Sequence, residues 1–269
     1  MIVYDFEYDG IRLSDMGFMV GCFKDDGLKT ESAGSELTFN TVKTMNGYKD
    51  ELTSATYDSC LQTTFTIVKN VCSYRDSLEI SLSDFRKIMR WLNRKRFYKF
   101  RVLNNEYADI YFYGSFNIEK VELDNKLYGF DLTLTTDRPF GLLNERKYIL
   151  KANGSSNILT PIYDESDEIG YVYPSMKITV GSVGDDGIYS ISNSIEPDRV
   201  MKIGNCREGE IITVEYPIIS SSIPAHDINK DFNWVFLRIA NTLNNRKNII
   251  NATNGEIELT YTPIAKVFI

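Results

Sequence analysis

Apolar positions in this chain alternate far more often than they recur at helical spacing. In residues 2–8, IVYDFEY, Tyr4, Phe6 and Tyr8 share one face while Asp5, Glu7 and Asp9 share the other; Val3 is out of step. Asp9-Gly10 is a turn signal, and IRLSDMGFMV follows as a return segment, so the start reads as a β-hairpin. CLQTTFTIVKNV at 60–71 alternates strongly and predicts a strand. FYKFRVL, DIYFYGSFNIEKVEL and LYGFDLTLTT predict three more, separated by NNEY and DNK. Pro139 and Gly141 in TDRPFG close that block.

One segment has a helical period. Leu82, Phe85, Ile88, Met89 and Leu92 form a single apolar stripe, and Ser81 with Asp84 fits a capping box. Cations gather at the far end, where the helix dipole favours them. The pattern predicts a helix over about 82–94. Residues 24–58 are rich in Asp, Gly, Ser, Thr and Asn, with short apolar islands, and read as a long loop or an excursion arm.

The character changes near 140–150. Beyond it come the polar stretches KANGSSN and DESDEIG. The runs YPSMKITVGS, GIYSISNSI, EIITVEYPII, WVFLRIANTL and GEIELTYTPIAKVFI then follow as strands with no helix between them, which is the pattern of an antiparallel sandwich. The fold class is mainly β. It has two domains, 1–145 with one α-helix and 146–269 as a second sandwich. A length of 269 residues favours two domains over one.

Charge narrows the function. The net charge is −7, divided as −2 over residues 1–147 (20 basic, 22 acidic) and −5 over 148–269 (10 basic, 15 acidic). That balance argues against a general nucleic-acid binder. One stretch departs from it: RKRFYKFR at 94–101 lies in a window, 86–101, with eight Lys or Arg and no acid. Basic residues among aromatics can form a stacking groove for single strands. The simpler reading ends a helix at Arg94–Arg96 and starts a strand, with Phe97, Tyr98, Phe100 and Val102 entering the core.

Catalytic and metal chemistry finds little support. The one histidine, His226, lies in SSIPAHDINK without a G-x-S-x-G elbow and reads as a loop residue. Cysteines at 22, 60, 72 and 206 have no C-x-x-C spacing and read as reduced, buried thiols. DESDE and GDDG lack calcium-loop spacing, and no phosphate-binding glycine motif occurs. No catalytic residue, metal or cofactor is expected. MIVYDFEYDG shows no signal peptide and no run spans a bilayer, so a soluble protein made in a cytoplasm is expected, with no membrane partner.

The order of these pieces resembles the distal tail protein family of long-tailed bacteriophages. FEYDGIRLSDMGFMV is similar to the family's opening, and the helix ends in Trp91-Leu92. FDLTLTTDRPFG is similar to its exit from the first domain, and WVFLRIANTLNNRKNIINATNGEIELTYTPIAKVF to its closing pattern. The 24–58 region matches least. The resemblance implies an N-terminal ring-forming β-sandwich with one helix and a C-terminal galectin-like β-sandwich. It implies a homo-hexamer in the virion tail tip or baseplate, assembled in the bacterial host cytoplasm. The ring would join the tail tube protein to the hub or tail fibre protein, and possible receptor-binding proteins, while the tape measure protein and DNA pass through its lumen without specific binding. Arg94, Lys95 and Arg96 then become candidates for the ring interface or the lumen, meeting acids such as those of YDFEYD across a heterologous contact.

Two other classes remain open. A carbohydrate-binding module of a phage or cell-surface protein would present Trp234, or Tyr171 and Tyr173, to sugar rings; the competing reading buries these residues. The family's galectin-like name does not transfer sugar binding, since His226 sits in PAHDIN rather than in a galectin signature. A glycoside hydrolase or other lytic tail enzyme would need a catalytic set that the sequence does not resolve.

Overall fold

The computed structural model describes residues 5–21, 34–45, 47–57, 60–73, 77–152 and 161–267. It divides into two compact units: residues up to Leu142 together with Ala265 onward, and Leu143–Ile264. The sequence places the chain's last strand in the second domain. Residues 255–261 of that run do lie in the second unit, while Val267 packs on the apolar core of the first. Tyr4, Val3 and Cys22 lie outside the described residues.

In the first unit, β1 (Phe6–Tyr8) and β2 (Ile11–Arg12) form the expected hairpin. Asp9 (φ 52°) and Gly10 (φ 76°) both adopt the left-handed conformation that a two-residue primed turn needs, which glycine tolerates freely and Asp better than most. Phe6 and Tyr8 are fully buried. The strands β3 (Phe18–Gly21), β4 (Leu37–Lys43), β5 (Asp50–Tyr57) and β6 (Gln62–Lys69) come next.

Helix α1 (Leu82–Leu92) follows, capped as its sequence predicts: Ser81 Oγ accepts from the Asp84 N–H at 3.1 Å and donates to Asp84 Oδ2 at 2.9 Å. The expected stripe is shifted. Ile88, Trp91 and Leu92 are buried, whereas Leu82, in the first turn, is exposed. Trp91 stacks on Phe6 at 5.7 Å and its Nε1–H donates to the Tyr8 carbonyl at 3.0 Å, so the helix is fastened to β1.

Strands β7 (Tyr98–Val102), β8 (Ile110–Leu123), β9 (Lys126–Thr136) and β10 (Gly141–Leu143) follow. The sheet runs β2-β1-β7-β8-β9-β6-β3, antiparallel at each junction between neighbours, with β10 on β8. β1 and β6 are four positions apart in it. Flat strands would set them roughly 19 Å apart. Yet the Phe6 and Phe65 rings are 5.4 Å from each other, so the sheet curls round an aromatic core of Phe6, Phe65, Phe100 and Phe116. Of the four residues at 97–102 expected in the core, Phe100 and Val102 are buried and Tyr98 is half-buried; Phe97 precedes the strand and is exposed.

The second unit is a two-layer β structure. β11 (Arg146–Ala152), β12 (Ile162–Tyr163), β13 (Gly170–Val172), β14 (Ser175–Val180), β15 (Tyr189–Asn193), β16 (Glu196–Ile203), β17 (Ile211–Glu215) and β18 (Ile218–Ser221) precede the short helix α2 (Ile228–Asp231). β19 (Ile239–Asn241), β20 (Lys247–Asn248), β21 (Ile250–Ala252) and β22 (Gly255–Tyr261) complete it. One layer is the sheet β11-β22-β14-β17-β18, whose inward Leu150, Ile178, Ile212, Ile257 and Leu259 are buried. The other is assembled from β16-β15-β21, β13-β19 and β12-β20. Both layers feed one core.

Two strand expectations need correction here. EIITVEYPII is two strands, β17 and β18, that turn back at Tyr216-Pro217. WVFLRIANTL is strand only over Ile239–Asn241. Around it, Asn side chains replace the missing ladder. Asn248 Oδ1 accepts from the Ala240 N–H at 2.8 Å, and its Nδ2 donates to the Ala240 and Arg246 carbonyls, each at 3.0 Å. The cysteines also differ from expectation: Cys206 is buried, but Cys60 and Cys72 are exposed.

Candidate assembly surface

The basic segment begins where α1 ends, and its three cations have different surroundings. Arg94 turns back on its own chain. Its Nη1 donates to Asp9 Oδ2 at 2.8 Å, and its guanidinium lies 3.5 Å above the Tyr98 ring and 5.1 Å from Tyr8. Burial is the first influence on the Tyr8 hydroxyl and raises its pKa, against the opposing pull of Arg94. Lys95 and Arg96 are exposed and make no ion pair among the described residues. Phe97, beside them, is also exposed.

Two of the acids of YDFEYD, Asp5 and Asp9, are likewise bonded within the chain. Asp5 accepts from the Ser14 N–H at 3.1 Å and its hydroxyl at 2.7 Å, fixing the turn after β2. Glu7 stands opposite Arg12 on one side and Arg101 on the other. Asp9 holds Arg94. Asp9 and Arg94 thus pair within one chain, and Lys95 and Arg96 make no ion pair among the described residues.

The second feature lies within 24–58. β4 and β5 pair only with each other among the described strands. The register sets Leu37 opposite Tyr57 and Phe39 opposite Ala55; after the shift at Asn40/Thr41, Thr41 stands opposite Leu52. Thr53 is the extra residue. Without that bulge, strict alternation would turn Leu52 to the opposite face. With it, Leu37, Phe39, Leu52, Ala55 and Tyr57 share one face. Thr38, Asn40, Ser54 and Thr56 share the other, where Asn40 Nδ2 donates to Ser54 Oγ at 3.0 Å.

Among the described residues nothing covers this apolar face. Leu37 is 48% exposed, Phe39 58% and Leu52 59%. Its base is tied down: the Tyr57 ring meets Phe140 edge-on at 4.7 Å, with Lys266 5.8 Å away. An isolated two-stranded hairpin is marginal in water, and each such side chain gains about 1.5–3 kcal/mol on full burial. The sequence shows short apolar islands here, but the bulge breaks the period that would have revealed a strand pair.

The remaining candidates are dispersed. Trp234 and Tyr171 are exposed rather than core, while Tyr173 packs partly on the second core. His226, read as a loop residue, has a buried side chain. Its Nδ1 lies 2.5 Å from Glu210 Oε1 and its Nε2 3.3 Å from Asp231 Oδ2. Asp164 of DESDE is buried, accepting from the Ser166 hydroxyl at 2.9 Å. Burial raises its pKa despite those bonds.

Comparison with known proteins agrees with this architecture. No curated protein matches the chain. The structure is similar to that of the SPP1 Dit (gp 19.1) protein, described as a paradigm of the hub adsorption apparatus in phages infecting Gram-positive bacteria. The TM-score is 0.63 at 12% identity, covering 98% of this chain and 99% of that one. The fold expected from the distal tail resemblance is thus borne out. Residues 1–138 match the DUF6558 family model, described as a phage tail protein N-terminal domain, and residues 140–262 match its companion, a phage tail C-terminal domain. With models of both domains matched in order along nearly its whole length, the chain belongs to this phage tail protein family.

Proposed function

We propose that this chain is a distal tail protein. Six copies form a ring that joins the tail tube to the host-adsorption apparatus at the virion tail tip. The observation that carries this reading is the uncovered apolar face of the β4–β5 arm. A second copy is the occupant that supplies the same cover to every arm: each subunit extends its arm onto the next, a heterologous contact that closes when the rotation permits. The role is structural rather than enzymatic. The ring contacts the tail tube protein on one side and the hub or fibre proteins on the other, with the tape measure protein and DNA passing through. Assembly takes place in the host cytoplasm. Lys95 and Arg96 serve the ring interface or its lumen.

The experiment is the mass and negative-stain shape of the purified chain. Six copies of 30.9 kDa come to 185.4 kDa. A six-fold ring is expected, and Phe39→Asp with Leu52→Asp is expected to release folded monomers. A wild-type monomer, both alone and with its tail tube protein, overturns the ring. A ring indifferent to the two arm substitutions overturns the role of the arm.

A further inference from the structure

The second unit carries a connected series of aromatic rings at its surface. Tyr171 lies in β13, Tyr173 just beyond it, Tyr216 at the β17–β18 turn, and Phe232, Trp234 and Phe236 after α2. Tyr171 meets Tyr173 at 5.4 Å, and Tyr173 stacks on Tyr216 at 3.9 Å with an interplanar angle of 1°. Tyr216 meets Phe236 edge-on at 5.1 Å, and Trp234 lies 5.6 Å from Phe232 and 6.5 Å from Phe236. Three of these rings are half open to solvent: Tyr171 at 50%, Tyr216 at 53% and Trp234 at 55%.

Each open ring is held from one side. Tyr216 has Tyr173 against one face, and Tyr171 has the Arg238 guanidinium at 3.6 Å. Trp234 is held through its backbone. It adopts φ 57°, a left-handed conformation that costs a bulky residue about 1–2 kcal/mol. Asn233 fixes this shape. Its Oδ1 accepts from the Lys202 and Val235 N–H groups at 3.0 and 3.3 Å, and its Nδ2 donates to the Val200 carbonyl at 2.8 Å. Core packing does not explain strain spent on presenting a Trp that is more than half exposed. Strained residues of this kind concentrate at ligand sites.

Polar groups are set among the rings with equal care. Arg238 donates to the Tyr173 hydroxyl from Nη2 at 3.1 Å and Nε at 3.3 Å, and to Glu196 Oε1 from Nη1 at 3.3 Å. The second hydrogens of Nη1 and Nη2 remain for another acceptor. Arg199 Nε is anchored on the Phe236 carbonyl at 3.2 Å. Aromatic faces with a few fixed, directional donors are the make-up of a small-ligand site.

We propose that this surface binds a polysaccharide. The C–H faces of its pyranose rings stack on Tyr171, Tyr216 and Trp234, and Arg238 donates to sugar hydroxyls. The tilt of the rings favours a polymer strand: Tyr171 stands at 73° to Tyr173, and Trp234 at 65° to Phe236. A flat surface would meet one ring, whereas successive sugars of a single chain, each turned from the last, meet several. The inference does not depend on the ring assembly.

The test uses the full chain on an array of peptidoglycan strands, teichoic acid polymers and capsular polysaccharide fragments, followed by fluorescence titration of the best binder. Trp234 reports the site, because the other tryptophan, Trp91, is 5% exposed in the first core. Saturable binding is expected, weakened about tenfold or more by Trp234→Ala and separately by Tyr171→Ala. Trp234→Phe keeps binding and loses the signal. The array arms distinguish wall from capsule as the source. Retention of no polysaccharide overturns the proposal, as does binding that both alanine variants preserve. So does protection of Trp234 from acrylamide by self-association alone, which marks the surface as a contact between copies. The oligomeric mass of each variant, measured alongside, separates this failure from failure of the ring.

Discussion

Arg94 and Asp9 form an ion pair at 2.8 Å that ties the end of α1 to the turn of the first hairpin. The pair is partly exposed, with 25% and 47% of the two side chains open, so its Coulombic share is modest, about 0.2–1 kcal/mol. The contact of Arg94 with Tyr98 adds about 0.5–1 kcal/mol. Arg94→Ala is therefore expected to destabilise the first unit by about 1–2 kcal/mol. Asp9→Asn keeps the left-handed turn and removes the charge, so a double-mutant cycle isolates the pair. Lys95→Glu with Arg96→Glu is expected to leave the melting temperature unchanged and to weaken assembly. Loss of assembly without loss of stability in Arg94→Ala would return Arg94 to the interface.

Thr53 decides which side of the arm is apolar. An Ala inserted between Asn40 and Thr41 gives Thr53 a partner and removes the bulge, and continuous pairing then carries Leu52 to the face of Asn40 and Ser54. The insertion is expected to weaken the ring as much as Leu52→Asp does, although no apolar residue is lost. Analytical ultracentrifugation of the two variants side by side checks this. Thr53→Ala, which keeps the bulge, is expected to assemble normally.

What could be read in the sequence was local. The Asp9-Gly10 turn, the Ser81–Asp84 cap and the alternation of β7 to β9 each rest on neighbouring residues, and each appears where predicted. The misses share a cause: a long-range partner supplies what the local pattern lacks. Asn193 Nδ2 and Arg199 Nε take the carbonyls of Arg238 and Phe236, so residues 234–238 stay irregular despite an apolar run. Arg94 finds Asp9 at a separation of 85 residues, a pairing that no local pattern announces. The arm's period is broken by one inserted Thr. The exposed aromatics gave no local sign of exposure, because Trp234 and Tyr171 sit in runs that read as core.

Asn248 is fully buried and bonded at both ends of its amide, to backbone on both sides and to Asn193 Nδ2 at 2.6 Å. Replacing it with Ala strands several buried groups at once, an expected loss of about 2–4 kcal/mol in the second unit. Cys206 provides the readout. Its thiol is 4% exposed, and burial, reinforced by the charge of Glu210, pushes its pKa up to about 12. Only opening of the unit makes it reactive. With the other cysteines changed to Ser, Asn248→Ala is expected to speed Cys206 alkylation roughly 30- to 1,000-fold, the kinetic equivalent of that loss. An unchanged rate would show the amide to be dispensable.

Glu210 makes the second unit sensitive to acid. Burial favours its neutral form. The Ser221 hydroxyl, His226 Nδ1 at 2.5 Å and the Arg207 N–H at 3.0 Å outweigh burial and hold the carboxyl below its ordinary 4.5. A depressed folded-state value stabilises the fold above the unfolded value, and that stability is lost as pH falls through the folded one. Asp164, raised by burial, has the opposite sign, so the wild-type profile alone is ambiguous. The difference between wild type and Glu210→Gln is the informative quantity. Gln retains much of the shape without the charge. The wild-type stability advantage is expected to be constant from neutrality down to about pH 5 and to shrink below it. Denaturant melts at a series of pH values measure it, and an advantage that persists unchanged to pH 3 would mean that Glu210 is not the acid-sensitive group.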